Sequence, residues 1–344
     1  MKSTKHLIKI FCLFMFFIAS SFVSAETSEH KIHSFVLATA TPGGTFYPVG
    51  VAIATLISAK LEGDHGIAMT AISSAGSGEN INLIKSEYAQ FAILQGLYGS
   101  LAWKGKGELK QSGPQQELRS ITMLWQNVEH FTVQKSKVKK GDISDLSGFN
   151  KAGFSIGEKN SGTEGSGRYI LKSLGINPDV VFDIRQKRYS ASALALTNGS
   201  ILGMNTPGGV PVKAVTQAFS VRGRDLIILD ITNKQLEMIN SNHNLWSRYI
   251  IPAGTYPTQT KDVYTIAQSN VLAVHKDTDA AAVYLITKTI YEHLDYFSRI
   301  HGATNVMKIS KALEGLPMPL HPGAIRYYKE RGIQIPPSLV KEQD

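Results

Sequence analysis

Strand-like and helix-like segments alternate along this 344-residue chain, break off, and alternate again. That double alternation predicts an α/β fold of two lobes with a ligand cleft between them. Two observations sharpen it. Long extended segments at 118–133 and 264–275 read as crossings between the lobes. Three Gly/Ser/Thr-rich turns each stand between a strand and a helix: Thr41-Pro42-Gly43-Gly44-Thr45-Phe46-Tyr47-Pro48, Ser73-Ser74-Ala75-Gly76-Ser77-Gly78-Glu79-Asn80 and Asn160-Ser161-Gly162-Thr163-Glu164-Gly165. A helix start leaves backbone N–H groups unpaired, and the helix dipole favours negative charge there. Turns of this kind converging on one place make a site for a small anionic or zwitterionic ligand.

Taken in order, residues 35–38 read as a buried strand followed by the first turn, with Pro48 suited to a first helical turn. Val49, Ile53, Leu56 and Ile57 then recur at helical spacing up to Lys60. Residues 67–72 are a second strand, 80–85 a short helix and 91–95 a third strand, with a helix through Trp103 behind it. Such alternation implies a mostly parallel sheet covered on both faces. A Gly/Gln/Pro stretch at 105–116 interrupts the pattern. It restarts with a strand at 152–156, a helix at 163–174, a strand at 180–184, a helix at 190–197 ended by Asn198-Gly199, and a strand at 226–229. Val283, Ile286, Ile290, Leu294 and Phe297 mark a single amphipathic helix. The division expected is lobe I at 26–127 plus about 258–344, and lobe II at about 128–257.

Lys2, Lys5 and Lys9 precede an apolar run at 10–19, and Val23-Ser24-Ala25 offers the small residues a signal peptidase reads. The expectation is export to the periplasm with cleavage after Ala25. The run is short for a membrane span. Cys12 is the only cysteine, so the mature chain would hold no disulfide, and 319 remaining residues can bury a sufficient core without one. The formal charge of +9 is a mild excess that suits anionic ligands or a solvated basic surface. Lys135, Lys137, Lys139 and Lys140 cluster without interleaved aromatics, which reads as an exposed loop and gives no sign of nucleic-acid binding.

At the turns a family resemblance becomes visible. Gly43-Gly44-Thr45-Phe46-Tyr47-Pro48-Val49-Gly50 resembles the GGTYYPVG element of the TAXI family, the extracytoplasmic solute receptors of TRAP transporters. Ser74-Ala75-Gly76-Ser77 with Glu79-Asn80-Ile81-Asn82-Leu83 resembles its second element, and Phe91-Ala92-Ile93-Leu94-Gln95 its third. Ser161-Gly162-Thr163-Glu164 is similar to the second-lobe loop, and His321-Pro322-Gly323-Ala324 to a C-terminal HPGA element. The resemblance implies a type II-like periplasmic-binding-protein fold that closes over a small solute, glutamate among the family's ligands, and delivers it to TRAP membrane permease subunits. It also implies a monomer that needs no cofactor and no metal. The chain departs from the family at Ser86-Glu87-Tyr88-Ala89-Gln90, at Gly96-Leu97 and at 198–203, where acidic residues are missing near the turns.

The ligand-binding residues expected are Gly44, Thr45, Tyr47, Ser74, Ala75, Gly76, Ser77, Asn80, Gln95, Ser161, Gly162, Thr163, Glu164, Pro207 and Gly208. Several have a plainer role beside that one. Ser161 and Glu164 are spaced as a capping box. Tyr47 suits packing beside Pro48 as well as stacking on a ligand, and Asn80 suits capping. Gln95 would orient a carboxylate or tie down a loop, and Pro207-Gly208-Gly209 supplies a backbone contact or only a turn. Glu164 would neutralise a ligand ammonium, whereas Arg168, Arg185 or Arg188 would grip a second carboxylate. No catalytic residue is assigned. Gly153-Phe154-Ser155-Ile156-Gly157 has the spacing of a nucleophile elbow, but its serine lies inside a strand-like run. The 157–163 stretch lacks the lysine of a phosphate-binding loop, and Gly76-Ser77-Gly78 lacks the third glycine of a dinucleotide fingerprint. An exported hydrolase and a ligand-sensing protein using the same cleft are the competing functions.

Overall fold

The computed structural model describes residues 32–340; the signal segment read at 1–25 lies outside them. Two sheets organise the chain. The first contains β1 (His33–Ala38), β2 (Ile67–Ile72), β3 (Phe91–Gln95), β4 (Leu118–Val128), β10 (Ser247–Ile251) and β11 (Val263–His275), in the order β10-β11-β3-β1-β2 with β4 paired to β11. The second contains β5 (Phe131–Gln134), β6 (Ala152–Ser155), β7 (Phe182–Arg185), β8 (Gly203–Asn205) and β9 (Leu226–Ile228), in the order β7-β6-β8-β5-β9.

The two sheets repeat one plan. β1 is parallel to β2 on one side and to β3 on the other, and β6 is likewise parallel to β7 and β8. Each first strand therefore has its chain return on both flanks, which opens a crevice at its carboxyl end. Helix Phe46–His65 joins β1 to β2 because Val49, Ile53, Leu56 and Ile57 form one buried stripe; Gly66, at φ 62°, stops it in the left-handed region. Helix Gly162–Ser173 follows β6 in the same manner and buries Ile170 and Leu171. Phe91, Trp125 and Ile53 anchor the core of the first sheet, and Phe149, Phe154 and Phe182 that of the second.

β4 runs into β5 through Glu129 and His130, so the expected extended segment serves both sheets. β11 crosses back, pairing with β10, β3 and β4. Two sequence expectations are corrected. The strand at 180–184 is a helical turn, Pro178–Val181, followed by β7; Asn177 caps that turn by accepting from Asp179 N–H, and Pro178 sits in its first turn. The single helix through Phe297 is two, Ala280–Glu292 and Leu294–Ile300, because His293 leaves helical geometry (φ −129°). Helices Lys213–Arg222, Asn233–Asn240 and Pro322–Glu330 and the short strands β8 and β10 went unread in the sequence. Among the described residues no helix is long and apolar enough to cross a membrane.

Candidate functional site

Five helices begin at one cavity of about 40 Å³ between the two sheets. Their capping residues, Thr45, Gly76, Gln95, Ser161 and Arg188, all line it. The reason is local. Each helix follows the carboxyl end of a strand, and the strand ends of both sheets face the same crevice. Gly76 adopts φ 116°, a conformation that side chains disfavour, and so turns the chain sharply into helix Ser77–Lys85. First-turn N–H groups have no partner within their own helices, and their dipoles sum to a positive potential in the cavity. Glu158 and Arg188 are the charged residues of the lining, and they pair with each other at 3.1 Å.

Of the residues read from sequence, Gly44, Thr45, Ala75, Gly76, Ser77, Gln95, Ser161, Gly162, Thr163 and Pro207 line this cavity. Ser77 Oγ accepts from Gln95 N–H at 3.0 Å, which leaves its own proton free to donate. Thr163 Oγ1 donates to the Tyr189 hydroxyl at 2.7 Å, which donates in turn to the Pro207 carbonyl at 2.6 Å. Burial pushes the Tyr189 phenol well up, so it stays protonated. Thr45 Oγ1 spans the crevice, accepting from Gly209 N–H at 3.0 Å and lying 3.2 Å from the Gly209 carbonyl.

Tyr47, Ser74, Asn80, Glu164 and Gly208 are not brought into the lining, each for an identifiable reason. Tyr47 follows the lining residue Phe46 and points about 100° away around the helix. Asn80 is fully buried and donates to Thr39 O (2.7 Å) and Ile93 O (2.9 Å), while its Oδ1 meets Ser74 Oγ at 2.6 Å. That bracket secures the second turn from behind. Glu164 Oε1 takes Arg168 (3.3 Å) and Gln186 (2.7 Å), and Oε2 takes Asn160 N–H (3.1 Å). Ser161 Oγ accepts from Glu164 N–H, so the capping half of the predicted box forms, with the return bond displaced to Asn160. Gly208 pairs both backbone groups with Val128. Arg168 is held by Glu164 and Asp179, and Arg185 by Asp183.

Of the three arginines weighed as a carboxylate grip only Arg188 lines the cavity, and sequence reasoning missed Asn127, Glu158 and Tyr189, together with Ala40, Thr41 and Phe46. Asn127 is fully buried, yet neither of its amide atoms has a partner; Gln95 Oε1 is also unpartnered. Asn127 stands among other polar residues of the 118–133 segment, Gln126 and Glu129 included, so nothing in the sequence set it apart.

Behind the cavity, the crossing from β4 to β5 buries two titratable groups. Glu129 Oε2 accepts from Asn205 Nδ2 at 3.0 Å, Oε1 has no partner, and burial lifts its carboxyl to about 7. His130 Nδ1 donates to Val128 O at 2.8 Å, and Nε2 faces the Tyr256 hydroxyl at 2.8 Å; burial lowers this imidazole to about 4. In both groups desolvation disfavours the charged form: the imidazole stays neutral above about pH 4, and the carboxyl keeps its proton to about pH 7. Ser155, the residue of the elbow-like spacing, is fully buried within β6 and bonds Ser192 Oγ at 2.7 Å, away from any turn. Among the described residues no cluster of three or more His, Cys, Asp or Glu could hold a metal ion.

Residues 37–332 match the NMT1-like family, and the chain belongs to it. In fold it is similar to the malate-bound MatC protein of Rhodopseudomonas palustris (TM-score 0.50, 12% identity, covering 77% of this chain and 87% of that one). It is also similar to the periplasmic binding protein BugD (TM-score 0.50, 13% identity, covering 88% and 98%). The fold is thus the two-lobed α/β architecture of periplasmic binding proteins.

Proposed function

We propose that this member of the NMT1-like family is an exported solute receptor. It captures a small carboxylate or amino acid between its sheets and delivers it to the membrane permease of a TRAP transporter, as the resemblance to TAXI receptors implies. In this reading it acts as a monomer in the periplasm after cleavage behind Ala25, without a cofactor. The observation that carries the reading is the convergence of five helix starts on one cavity between the sheets. Aligned N–H groups and dipoles hold an anion without any basic side chain being dedicated to it. The cavity suits a compact ligand, since about 40 Å³ is room for only a few waters.

Closure follows from the same geometry. Glu79 N–H, in the first turn of helix Ser77–Lys85, donates to Asn160 O at 3.2 Å, and Thr45 meets Gly209. These contacts join the two sheets across the crevice, and a ligand binding both sides shifts an open–closed equilibrium toward them. A dissociation constant near a micromolar, about −8 kcal/mol, suffices for capture. The burial of Ser155 and its bond to Ser192 favour the receptor over a serine hydrolase.

The test is a thermal-shift screen of residues 26–344 against amino acids and small carboxylates. A ligand that binds only the folded chain raises its melting temperature. At least one compound is expected to do so, with the shift reduced in Thr163→Ala. No shift across the panel, with no small molecule released on denaturing the purified chain, would overturn the reading.

A further inference from the structure

Asn127 belongs to a row of buried carboxamides. On β11, Asn270 is in register with Gln95 of β3 and with Trp125 of β4, and Gln268 is in register with Asn127. Register partners share a face, and positions two apart on a strand do too, so these side chains lie together on one side of the first sheet. All five are nearly or fully buried. Their unpartnered atoms are Gln95 Oε1, Trp125 Nε1, both amide atoms of Asn127, both of Asn270, and Gln268 Nε2. Folded proteins leave only a few buried polar groups unpaired per hundred residues. A row of them at a ligand cavity is therefore a recognition surface awaiting its complement.

The chemistry of that complement can be read from Asn127, which alone with Gln95 reaches the cavity wall. A carboxamide presents one acceptor and one donor group whichever way it is turned. A carboxylate answers the Nδ2 donor and leaves Oδ1 facing another acceptor. Only a ligand with its own N–H or O–H answers both. Glu164, the sequence candidate for meeting an ammonium, is engaged by Arg168, Gln186 and Asn160. Glu158, the carboxylate that does line the cavity, is paired with Arg188 at 3.1 Å, so the unengaged acceptors facing the ligand are those of neutral amides.

We infer that Asn127, with Gln95 beside it and Asn270 continuing the same face, determines specificity: it selects small carboxylates that also carry an amino or hydroxyl donor and rejects plain dicarboxylates. The inference rests on the receptor reading and adds to it the residue that chooses among ligands. Asn127 also stands directly before the Val128–His130 crossing, so the contact that reads the ligand lies where the sheets are joined.

Calorimetry on matched pairs tests this: L-glutamate against glutarate, and L-aspartate and L-malate against succinate. Wild-type protein is expected to favour the donor-bearing member by at least about 100-fold, because a site built to bond a donor is left unpaired by an analogue that lacks one. Asn127→Leu is expected to reduce that preference by at least tenfold (~10) while leaving the melting temperature of the ligand-free protein unchanged or higher. If that variant does not fold, the near-isosteric Asn127→Asp replaces it, and it is expected to weaken malate more than aspartate. Equal affinity for both members of every pair, or a preference untouched in the variants, would overturn the inference and leave the receptor reading standing. If no panel compound binds, mass spectrometry of material released from the purified chain decides. A donor-bearing carboxylate supports the inference, a molecule with no N–H or O–H overturns it, and nothing at all overturns the receptor reading.

Discussion

Asn80 and Asn127 are both fully buried asparagines beside the first sheet, and their surroundings could hardly differ more. Asn80 fastens three pieces of chain, the residues just after β1, the middle of β3 and the Ser74 turn, with its amide used at both ends. Asn127, on the crossing strand, has no partner for either amide atom. A satisfied buried amide stabilises a fold, whereas an unsatisfied one costs stability until something binds it. The contrast separates the part of the cleft that builds the turns from the part proposed to meet the solute.

The largest effect is expected at the satisfied residue. Asn80→Leu removes the bonds to the Thr39 and Ile93 carbonyls and to the Ser74 hydroxyl, although Ser74 Oγ keeps Thr39 O and Gly76 N–H as partners, and should cost about 3 kcal/mol. Chemical denaturation measures this directly, with Asn127→Leu as the companion that should lose almost nothing. Equal losses would erase the contrast.

Glu129 is the intermediate case, with one oxygen bonded and one not. Its carboxyl is raised from the ordinary 4.5 to about 7 by burial. Below about pH 4.5 it is protonated folded or unfolded, and that contribution is fully present. As pH rises toward 7 the unfolded chain releases the proton first, so stability falls, by about 3 kcal/mol in all. His130, lowered to about 4, works in the opposite sense and loses stability as pH falls from 6.5. The measurement is therefore a difference: Glu129→Gln minus wild type should be flat below pH 4.5 and grow in the variant's favour up to pH 7 and above. A difference that stays flat across the range would mean that the carboxyl is solvated.

Gly78→Ala tests whether the sheets must approach closely. Its Cβ would run into the Asn160 backbone carbonyl across the crevice and only crowd the Tyr98 ring on its own side, so the wedge acts chiefly on closure. Ligand affinity should drop at least about tenfold, roughly 1.4 kcal/mol, with little change in the unliganded melting temperature. Thr45→Val is the mildest change. Losing the Gly209 contacts should weaken binding by about fivefold, on the order of 1 kcal/mol, mainly through faster ligand release.

How the site was legible follows from the same residues. Thr45, Gly76, Ser161 and their neighbours were found because a helix start is a local event: strand, small turn residues and apolar periodicity are contiguous in the chain. Arg188 and Tyr189 start a helix at the same cavity without a glycine, so they carried no such mark. Tyr47 was chosen over Phe46 because composition at a turn does not disclose helix phase, and one residue turns a side chain by about 100°.

The sequence by itself determined the α/β class, the broad alternation of strands and helices, and the helix starts at its Gly/Ser/Thr-rich turns, since all of these depend on neighbours along the chain. Tertiary structure decided which of those starts share a cavity, which polar side chains find partners, and which remain free. Asn80 and Asn127 cannot be told apart by type or by burial; strand register placed carbonyls within reach of one and none within reach of the other. Hydrogen bonds are short-ranged and directional, so their satisfaction is settled only once distant segments have been set side by side.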